Sequence, residues 1–591
     1  MRKIFLLTVS LLFAFTTIYA ERVSQKDAAL VAGNFMSSTV QTGVKKAFGA
    51  KMVLKKAASA EENQYYVYEN ASGEGWVMVA ADDAVTPILA YSKTGTFRTD
   101  NMPANLSNWL GKYNTFIQKV SNDGVVANDE IKAQWKALRK GLPDDPAGNV
   151  VVGPLVKTIW DQDVPFDRQC PGTGYWGEYS SKAAAGCVAI SMAQVMKYWS
   201  WPTTGKGSHT YTPLNPNTGE TSTRYGQQSA NFGSTTYNWA KMKNSYLDSY
   251  TEEEGTEVAR LVYHCGVGTE MMYGNYDDGG SGTYTINYLS WEESDNAQNA
   301  FYKYFRYKPA TGYMRDGLVY GGYTYYDQWT DNAWTEMIKI ELENKHPIMY
   351  SGISDEGGHS FICDGYDDQN YFHFNWGWSG QNDGWYLLSN LAPGSGGAGG
   401  GSYVFNKQQH VLIDIVPNRT DWPNVTITWS VNGTTSTSTF QQEDDLVMPS
   451  NPANCSANQV FVGWSKTAPT NGKVPADLFT SATTGKKAVE TVTYYAIYAT
   501  KSGSTYSNYT TTCATPPATT YTVKWHSCAG IAQEQFEEGA ALKLPTNPGA
   551  NGDKAFYGWT TTEHYTGAAA PTIISAGQPV NADADYYAVY K

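Results

Sequence analysis

The chain has 591 residues, too many for a single hydrophobic core, and this length implies roughly three to five domains at about 150 residues each. Aromatic residues make up 14%, and the 43 Tyr equal the 43 Lys plus Arg, which speaks against disorder and for aromatic-rich β structure. The net charge of −13, with no dense run of Lys and Arg, argues against a nucleic-acid or anionic-membrane partner.

Met1–Ala20 reads as a signal peptide. Arg2 and Lys3 supply the positive start, Ile4–Phe15 the apolar stretch, and Ala20 a small residue before a cut ahead of Glu21. The mature protein is therefore expected to be secreted. Ser24–Val40 predicts a helix, with Ala28, Ala29, Val31, Ala32 and Phe35 on one stripe. Short strands are expected at Gln64–Tyr68, Trp76–Ala80 and Ile88–Ser92, with a turn at Asp82–Asp83. Helical spacing returns at Met102–Val120 and Asp129–Leu138. The stretch "GLPDDPAGN" at Gly141–Asn149 has linker composition, so residues 21–145 form a separate α+β unit.

The next unit, residues 146–417, carries a helix starting near Cys187 and another at Thr251–Cys265. Its later half predicts strands at Pro347–Gly352, Ser360–Tyr366, Tyr371–Trp376, Gly384–Leu388 and Val411–Val416. Helices followed by strands indicate an α+β fold. A Gly-rich loop, Pro393–Ser402, interrupts the strands, and a loop of this kind inside a domain is often functional.

The remainder is a duplication. "PSNP" at Pro449–Pro452 returns as "PTNP" at Pro545–Pro548. "FVGWS" at Phe461–Ser465 returns as "FYGWT" at Phe556–Thr560, and "TYYAIYA" at Thr493–Ala499 as "DYYAVYK" at Asp585–Lys591. Residues 424–499 and 519–591 are thus two small β-rich repeats, joined by the Thr-, Ser- and Pro-rich Ser504–Thr520.

Seven Cys in an exported chain leave at least one thiol without an internal partner. Cys187 is the informative one. In "AAAGCVAISMAQVMKYW", Val188, Met192, Val195, Met196 and Trp199 lie on one helical face, which puts Cys187 at the helix N-terminus. The unpaired N–H groups and positive dipole end there favour a thiolate and can stabilise an oxyanion. A nucleophilic thiol needs a base, and the base an orienting group. His359, in "EGGHS", and Asn375, in "FHFNWGW", follow Cys187 in the order Cys…His…Asn. That order fits a papain-like arrangement, with the thiol on a helix and the other two on neighbouring strands.

"GCVAISMAQVMKYWSWP", "GGHSFICDGYDDQNYFHFNWGWSGQNDGWY" and the Gly-rich loop resemble the streptopain family of secreted bacterial cysteine peptidases. The resemblance implies a papain-like α+β core at 146–417. It also implies an inhibitory propeptide at 21–145, carried by "MVAADDAVTPILAYSKTGTF", and maturation near 141–153. By it, Cys187 is the nucleophile and His359 the base. Gln162, in "WDQDVPFD", is the side-chain oxyanion donor, and Asn375 or Trp376 holds His359. Ser281, Gly282 and Gly358 would touch the substrate backbone. Substrates would be proteins or peptides with an apolar side chain two residues before the cut, and no cofactor or metal is implied.

His209, His264, His346, His373, His410, His526 and His564 are expected to be structural or surface residues. Asp367–Asp368 and Asn382–Asp383 are expected to be β-turns rather than calcium ligands. The repeats resemble the internalin-type β-grasp repeat of bacterial surface proteins, which implies a surface or host-protein ligand, or else a spacer. Two other readings use the same residues: a Cys-His transferase that passes its acyl group to an amine, and a surface-binding protein with an inert papain-like unit.

Overall fold

The computed structural model describes residues 22–39, 51–57, 64–100, 102, 104–141, 149–172, 182–215, 218, 220–221, 224–274, 280–288, 295–354, 357–388, 409–480, 482–483, 485–513, 520–563 and 571–591. The expected signal peptide at Met1–Ala20, most of the expected linker at Gly141–Asn149 and the Gly-rich loop at Pro393–Ser402 lie outside them.

The N-terminal unit starts with α1 (Gln25–Thr39), in which Ala28, Val31, Ala32 and Phe35 of the predicted stripe are buried and Ala29 is half-buried. It packs on an antiparallel sheet of β1 (Met52–Lys56), β2 (Tyr65–Asn70), β3 (Trp76–Ala80) and β4 (Ile88–Ser92). Helices α2 (Ala104–Asn122) and α3 (Asp129–Lys140) follow. Asn128 caps α3 by accepting from the Ile131 N–H, and Gly141 ends it in the left-handed region.

The second unit contains β5 (Val150–Val152), α4 (Cys187–Trp199), β6 (His209–Tyr211), β7 (Gln228–Ala230) and α5 (Glu252–Gly268). A reciprocal capping box between Thr251 and Glu254 opens α5. Next come α6 (Ala297–Tyr304), β8 (Thr311–Met314), β9 (Asp316–Tyr320), β10 (Tyr323–Gln328) and α7 (Asp331–Glu343). The strands that build the site are β11 (Ile348–Ser354), β12 (Gly357–Asp367), β13 (Tyr371–Asn375), β14 (Gly384–Leu387) and β15 (Gln409–Ile413). The architecture is mixed α+β. Segments 297–304 and 311–343 were not assigned from sequence. Trp334, Met337, Ile338 and Leu342 of α7 pack on the core, and Glu341 is buried among them.

One sheet joins the two units, in the order β1-β2-β3-β4-β14-β13-β12-β11-β15-β8. The junction is antiparallel, with Tyr91 opposite Trp385 and Ala90 opposite Tyr386. Strand alternation sorts side chains between two layers. Tyr350, Phe361, Phe374 and Trp376 face α2, α7 and the N-terminal core. Met349, Ile362 and Leu412 face α4 and α5. Every residue from Cys187 to Met196 is buried, so α4 is the central helix of that second layer.

The C-terminal repeats share one design. The first has β16 (Asn424–Val431), β17 (Thr434–Gln441), β18 (Gln459–Ser465), β19 (Val492–Ser502) and β20 (Thr505–Thr510). The second has β21 (Thr520–Ser527), β22 (Gly530–Glu537), β23 (Phe556–Thr560) and β24 (Ala584–Tyr590). The orders β17-β16-β19-β18 and β22-β21-β24-β23 match, each with a parallel central pair. The shared Gly of "F.GW" has a steric cause. A Cβ on Gly463 would lie 2.5 Å from the Phe479 carbonyl oxygen, and one on Gly558 would lie 2.8 Å from Ile573 Cγ2. Cys455 and Cys513 form a disulfide in the first repeat. His346 of the second unit is buried between Glu341 at 3.1 Å and Glu443 of the first repeat at 2.9 Å, which fastens that repeat to the α7 end.

Candidate active site

The run of Ala183–Ala185 and Gly186 brings the chain tightly into α4. Gly186 has φ +91°, and a Cβ there would sit 2.5 Å from Met271 Cε, so the position requires glycine. Cys187 is the first residue of α4, where backbone N–H groups have no intrahelical acceptor. It is 7% exposed. Its sulfur accepts from the Ser360 N–H at 3.4 Å, so β12 lies directly against the thiol.

His359 precedes Ser360 on β12 and is half-buried. Its Nε2 is 3.5 Å from the Trp376 carbonyl oxygen. Donation to that carbonyl places a proton on Nε2 and leaves Nδ1 for Cys187. Burial alone would raise the thiol pKa. The charge and hydrogen bond of His359, with the Ser360 and Val188 N–H groups, outweigh it and hold the thiol below its ordinary value.

Of the two residues expected to hold His359, Trp376 contacts it through its backbone carbonyl, and Asn375 is engaged elsewhere. Its Nδ2 donates to the Thr158 carbonyl at 2.7 Å, and its Oδ1 accepts from Gly377 N–H at 3.1 Å and Gln194 Nε2 at 3.3 Å. Asn375 thus ties β13 to α4 and to the segment carrying Gln162. Trp376 contributes its carbonyl, while its ring is buried against Phe361 at 4.6 Å and Tyr386 at 5.3 Å. The ring that lies over His359 belongs to Trp378, with centroids 6.5 Å apart and the planes tilted by 30°. Sequence reasoning missed Trp378. The repeated "WGW" was the available signal, but which indole faces the cleft depends on the turn after β13. Asp383 fixes that turn by accepting from the Trp376 N–H at 2.9 Å. Burial pushes the Asp383 carboxyl up to about 7.

Gln162 is placed beside the nucleophile because its carbonyl accepts from the Ala185 N–H at 3.1 Å. Its buried amide makes no hydrogen bond among the described residues and is available to a ligand. Asp161 secures the segment, accepting from Gln162 N–H at 2.6 Å and Ser379 Oγ at 2.7 Å.

A cavity of about 240 Å³ opens beside Cys187 and His359. Gly282 lines it, but the Gly282 N–H is donated to the Met272 carbonyl at 3.1 Å, and its own carbonyl accepts from the Met272 N–H at 2.9 Å. It therefore offers surface rather than a free N–H. The Ser281 side chain faces Gly274, accepting from its N–H at 3.0 Å and donating to its carbonyl at 3.2 Å, so it braces the loop. Gly358 lies next to His359 on β12, opposite Ile353. Asp367 is a turn residue, accepting from the Gln369 and Tyr371 N–H groups. His410, expected to be structural or on the surface, lines the cavity instead. Away from the site, His209 Nε2 lies 3.0 Å from Glu270 and 3.6 Å from Asp295, and Lys303 already bonds Asp295.

The peptidase C10 family model matches residues 160–386, and the Spi protease inhibitor model matches residues 20–117. The chain is 30% identical over 428 residues to thiol protease/hemagglutinin PrtT of Porphyromonas gingivalis, covering 72% of this chain and 45% of that protein. The chain thus spans less than half the length of that relative. It is 26% identical over 397 residues to streptopain of Streptococcus pyogenes serotype M1, covering 64% of this chain and 88% of streptopain. A solved prointerpain A fragment from Prevotella intermedia is 28% identical, with a TM-score of 0.46, covering 62% of this chain and 100% of that one.

Proposed function

We propose that this chain, which carries a peptidase C10 family domain over residues 160–386, is a secreted cysteine endopeptidase made as a zymogen. The observation that carries the reading is the pairing of Cys187, at the N-terminus of α4, with His359 on β12 and the depressed thiol pKa that results. The Cys187 thiolate attacks a peptide carbonyl. The Cys187 N–H and the Gln162 amide stabilise the oxyanion. His359 protonates the leaving amine, and water then hydrolyses the thioester with His359 as base.

Latency belongs to the N-terminal unit, whose residues 20–117 match a protease inhibitor. Three contacts support this. Strand β4 extends the peptidase sheet at β14. The Trp109 ring packs on Trp376 at 6.2 Å. The Arg98 N–H donates to Asn382 Oδ1 at 2.7 Å. The last two engage the Trp376–Asp383 loop that positions His359. This loop is therefore the route by which the N-terminal unit is proposed to act on His359. Secretion is supported by the signal-like Met1–Ala20 and by the Cys455–Cys513 disulfide. The repeats would present the enzyme to a surface or host protein.

The test is casein hydrolysis by the reduced protein beside Cys187→Ala, followed on a gel. Wild type should shorten by about the mass of residues 21–145 and then cleave casein, while the variant stays full-length and inert. If both remain inactive after another protease removes the N-terminal unit, the reading fails.

A further inference from the structure

The turn after β13 holds a residue in a costly backbone conformation. Ser379 has φ +53°, a left-handed geometry that glycine adopts freely and other residues seldom adopt. It stands between Trp378, over His359, and Gly380, itself at φ +77°. A residue held in strain where glycine would fit points to its side chain as the reason. The Ser379 hydroxyl donates to Asp161 Oδ2 at 2.7 Å.

Asp161 bridges two parts of the site. Its other oxygen, Oδ1, accepts from the Gln162 N–H at 2.6 Å. A backbone bond runs beside the bridge, the Ser379 N–H donating to the Trp160 carbonyl at 3.1 Å. The two segments are in close contact, since a Cβ on Gly380 would lie 3.2 Å from Ile159 Cγ2. The Gln162 carbonyl accepts from the Ala185 N–H at 3.1 Å, next to the turn into α4. Both backbone groups of Gln162 are therefore tied, and its side-chain amide extends from a fixed peptide. Among the described residues Asp161 bonds neither Cys187 nor His359.

We propose that Asp161 is a positioning residue for the oxyanion donor: through Ser379 it anchors the Gln162 peptide to the turn that presents Trp378 to His359, so that donor and base are held in one frame. The proposal rests on the peptidase reading above and adds a group to it. A preorganised amide stabilises the developing oxyanion because it does not reorient at the moment of attack. Without the bridge the amide samples other directions, and a displacement of about 1 Å costs up to about 10²-fold in rate. The loss falls on kcat, because the donor is fully engaged only as the oxyanion forms.

Ser379→Gly suits the left-handed backbone and removes only the far end of the bridge. In the processed chain it should lower kcat at least about tenfold and leave KM within about twofold, with the melting temperature preserved. Asp161→Ala should lose at least as much. In a Gln162→Ala background neither substitution should cost more than about twofold, because the group they act through is gone. Alkylation of Cys187 by iodoacetamide forms no oxyanion and should keep its wild-type rate in both variants. A peptide aldehyde reads the donor without cleavage: the thiolate adds to the carbonyl carbon, the π pair moves to oxygen, and that oxygen meets the Gln162 amide. Aldehyde affinity should fall at least about tenfold in Ser379→Gly, and Gln162→Ala should abolish the difference. The same pattern in a wild type that binds the aldehyde but cuts no peptide supports the assignment and counts against the peptidase reading alone. A kcat loss that persists in the Gln162→Ala background overturns the assignment, as does an equal slowing of alkylation, or unchanged kcat and aldehyde affinity in Ser379→Gly.

Discussion

The Trp378 indole lies beside the His359 imidazole, tilted 30° with ring centres 6.5 Å apart, while Asn375, three residues earlier, bonds the Thr158 carbonyl at 2.7 Å. The two substitutions should therefore fail differently. Trp378→Ala frees the ring that Cys187 needs in register and should lower kcat by about 10²-fold with little loss of stability. Asn375→Ala leaves the Thr158 carbonyl and Gln194 short of a partner and should cost about 1–3 kcal/mol of stability. Its pH–rate profile should keep the wild-type limbs. Thermal unfolding and steady-state kinetics on both variants separate these outcomes, and a kcat loss in Asn375→Ala that matches Trp378→Ala, at unchanged stability, would refute the assignment.

The depressed thiol pKa has a direct chemical reading. Alkylation of Cys187 by iodoacetamide should stay fast at pH values below the ordinary thiol pKa of 9.0, and slow only as the pH falls through the lowered value. In His359→Ala the main opposing contribution to burial is gone, so the midpoint should move upward by at least one pH unit, about 1.4 kcal/mol. An unmoved midpoint would show that the helix N-terminus alone ionises the thiol.

Two glycines near the nucleophile should respond in opposite ways. Gly186→Ala places a methyl 2.5 Å from Met271 Cε at φ +91° and should destabilise by about 1–3 kcal/mol. A Cβ on Gly282 meets nothing within 4 Å, so Gly282→Val should fold normally. The new side chain then narrows the cleft and should raise KM at nearly constant stability. Melting temperatures and KM values check the pair.

The buried His346 between Glu341 and Glu443 makes docking of the first repeat pH-dependent. Burial opposes the imidazolium, but the two carboxylates prevail and hold its pKa at about 10, above the ordinary imidazole value of 6.5. The stabilisation is then fully present below pH 6.5 and is lost as pH rises through about 10. Limited proteolysis of the 414–424 connection should accelerate on the alkaline side. His346→Leu strands two buried carboxylates and should cost about 3–5 kcal/mol at neutral pH. Pulse proteolysis of that variant giving wild-type stability would show that the clamp is not what holds the repeat.

Local pattern was enough for much of the molecule. Trp76–Ala80 and Ile88–Ser92 read as strands because consecutive β-branched and aromatic residues suit a sheet buried on both faces. The helix after Cys187 was legible because Gly186 and a helical apolar face are both local signals. The duplication was visible because "F.GW" and "YYA.Y" are set by close contacts within each small sheet.

What the sequence could not supply were choices between neighbours made by distant partners. Asn375 and Trp378 are both plausible companions of an imidazole. Gln194 on α4 draws the first inward, and the Asp383-braced turn presents the second to His359. His410 is one polar residue in a strand until β15 pairs with β11 and sets it beside Ser351, two strands from the thiol. The sequence by itself determined the helix that begins at Cys187, the strands that carry His359 and Asn375, and the repeats, because helix and strand periodicities are local properties of the chain. Only the tertiary structure decided that Trp376 turns its carbonyl to His359 while Asn375 bonds Thr158, and that His410 comes to line the cavity, because each depends on partners outside the local segment.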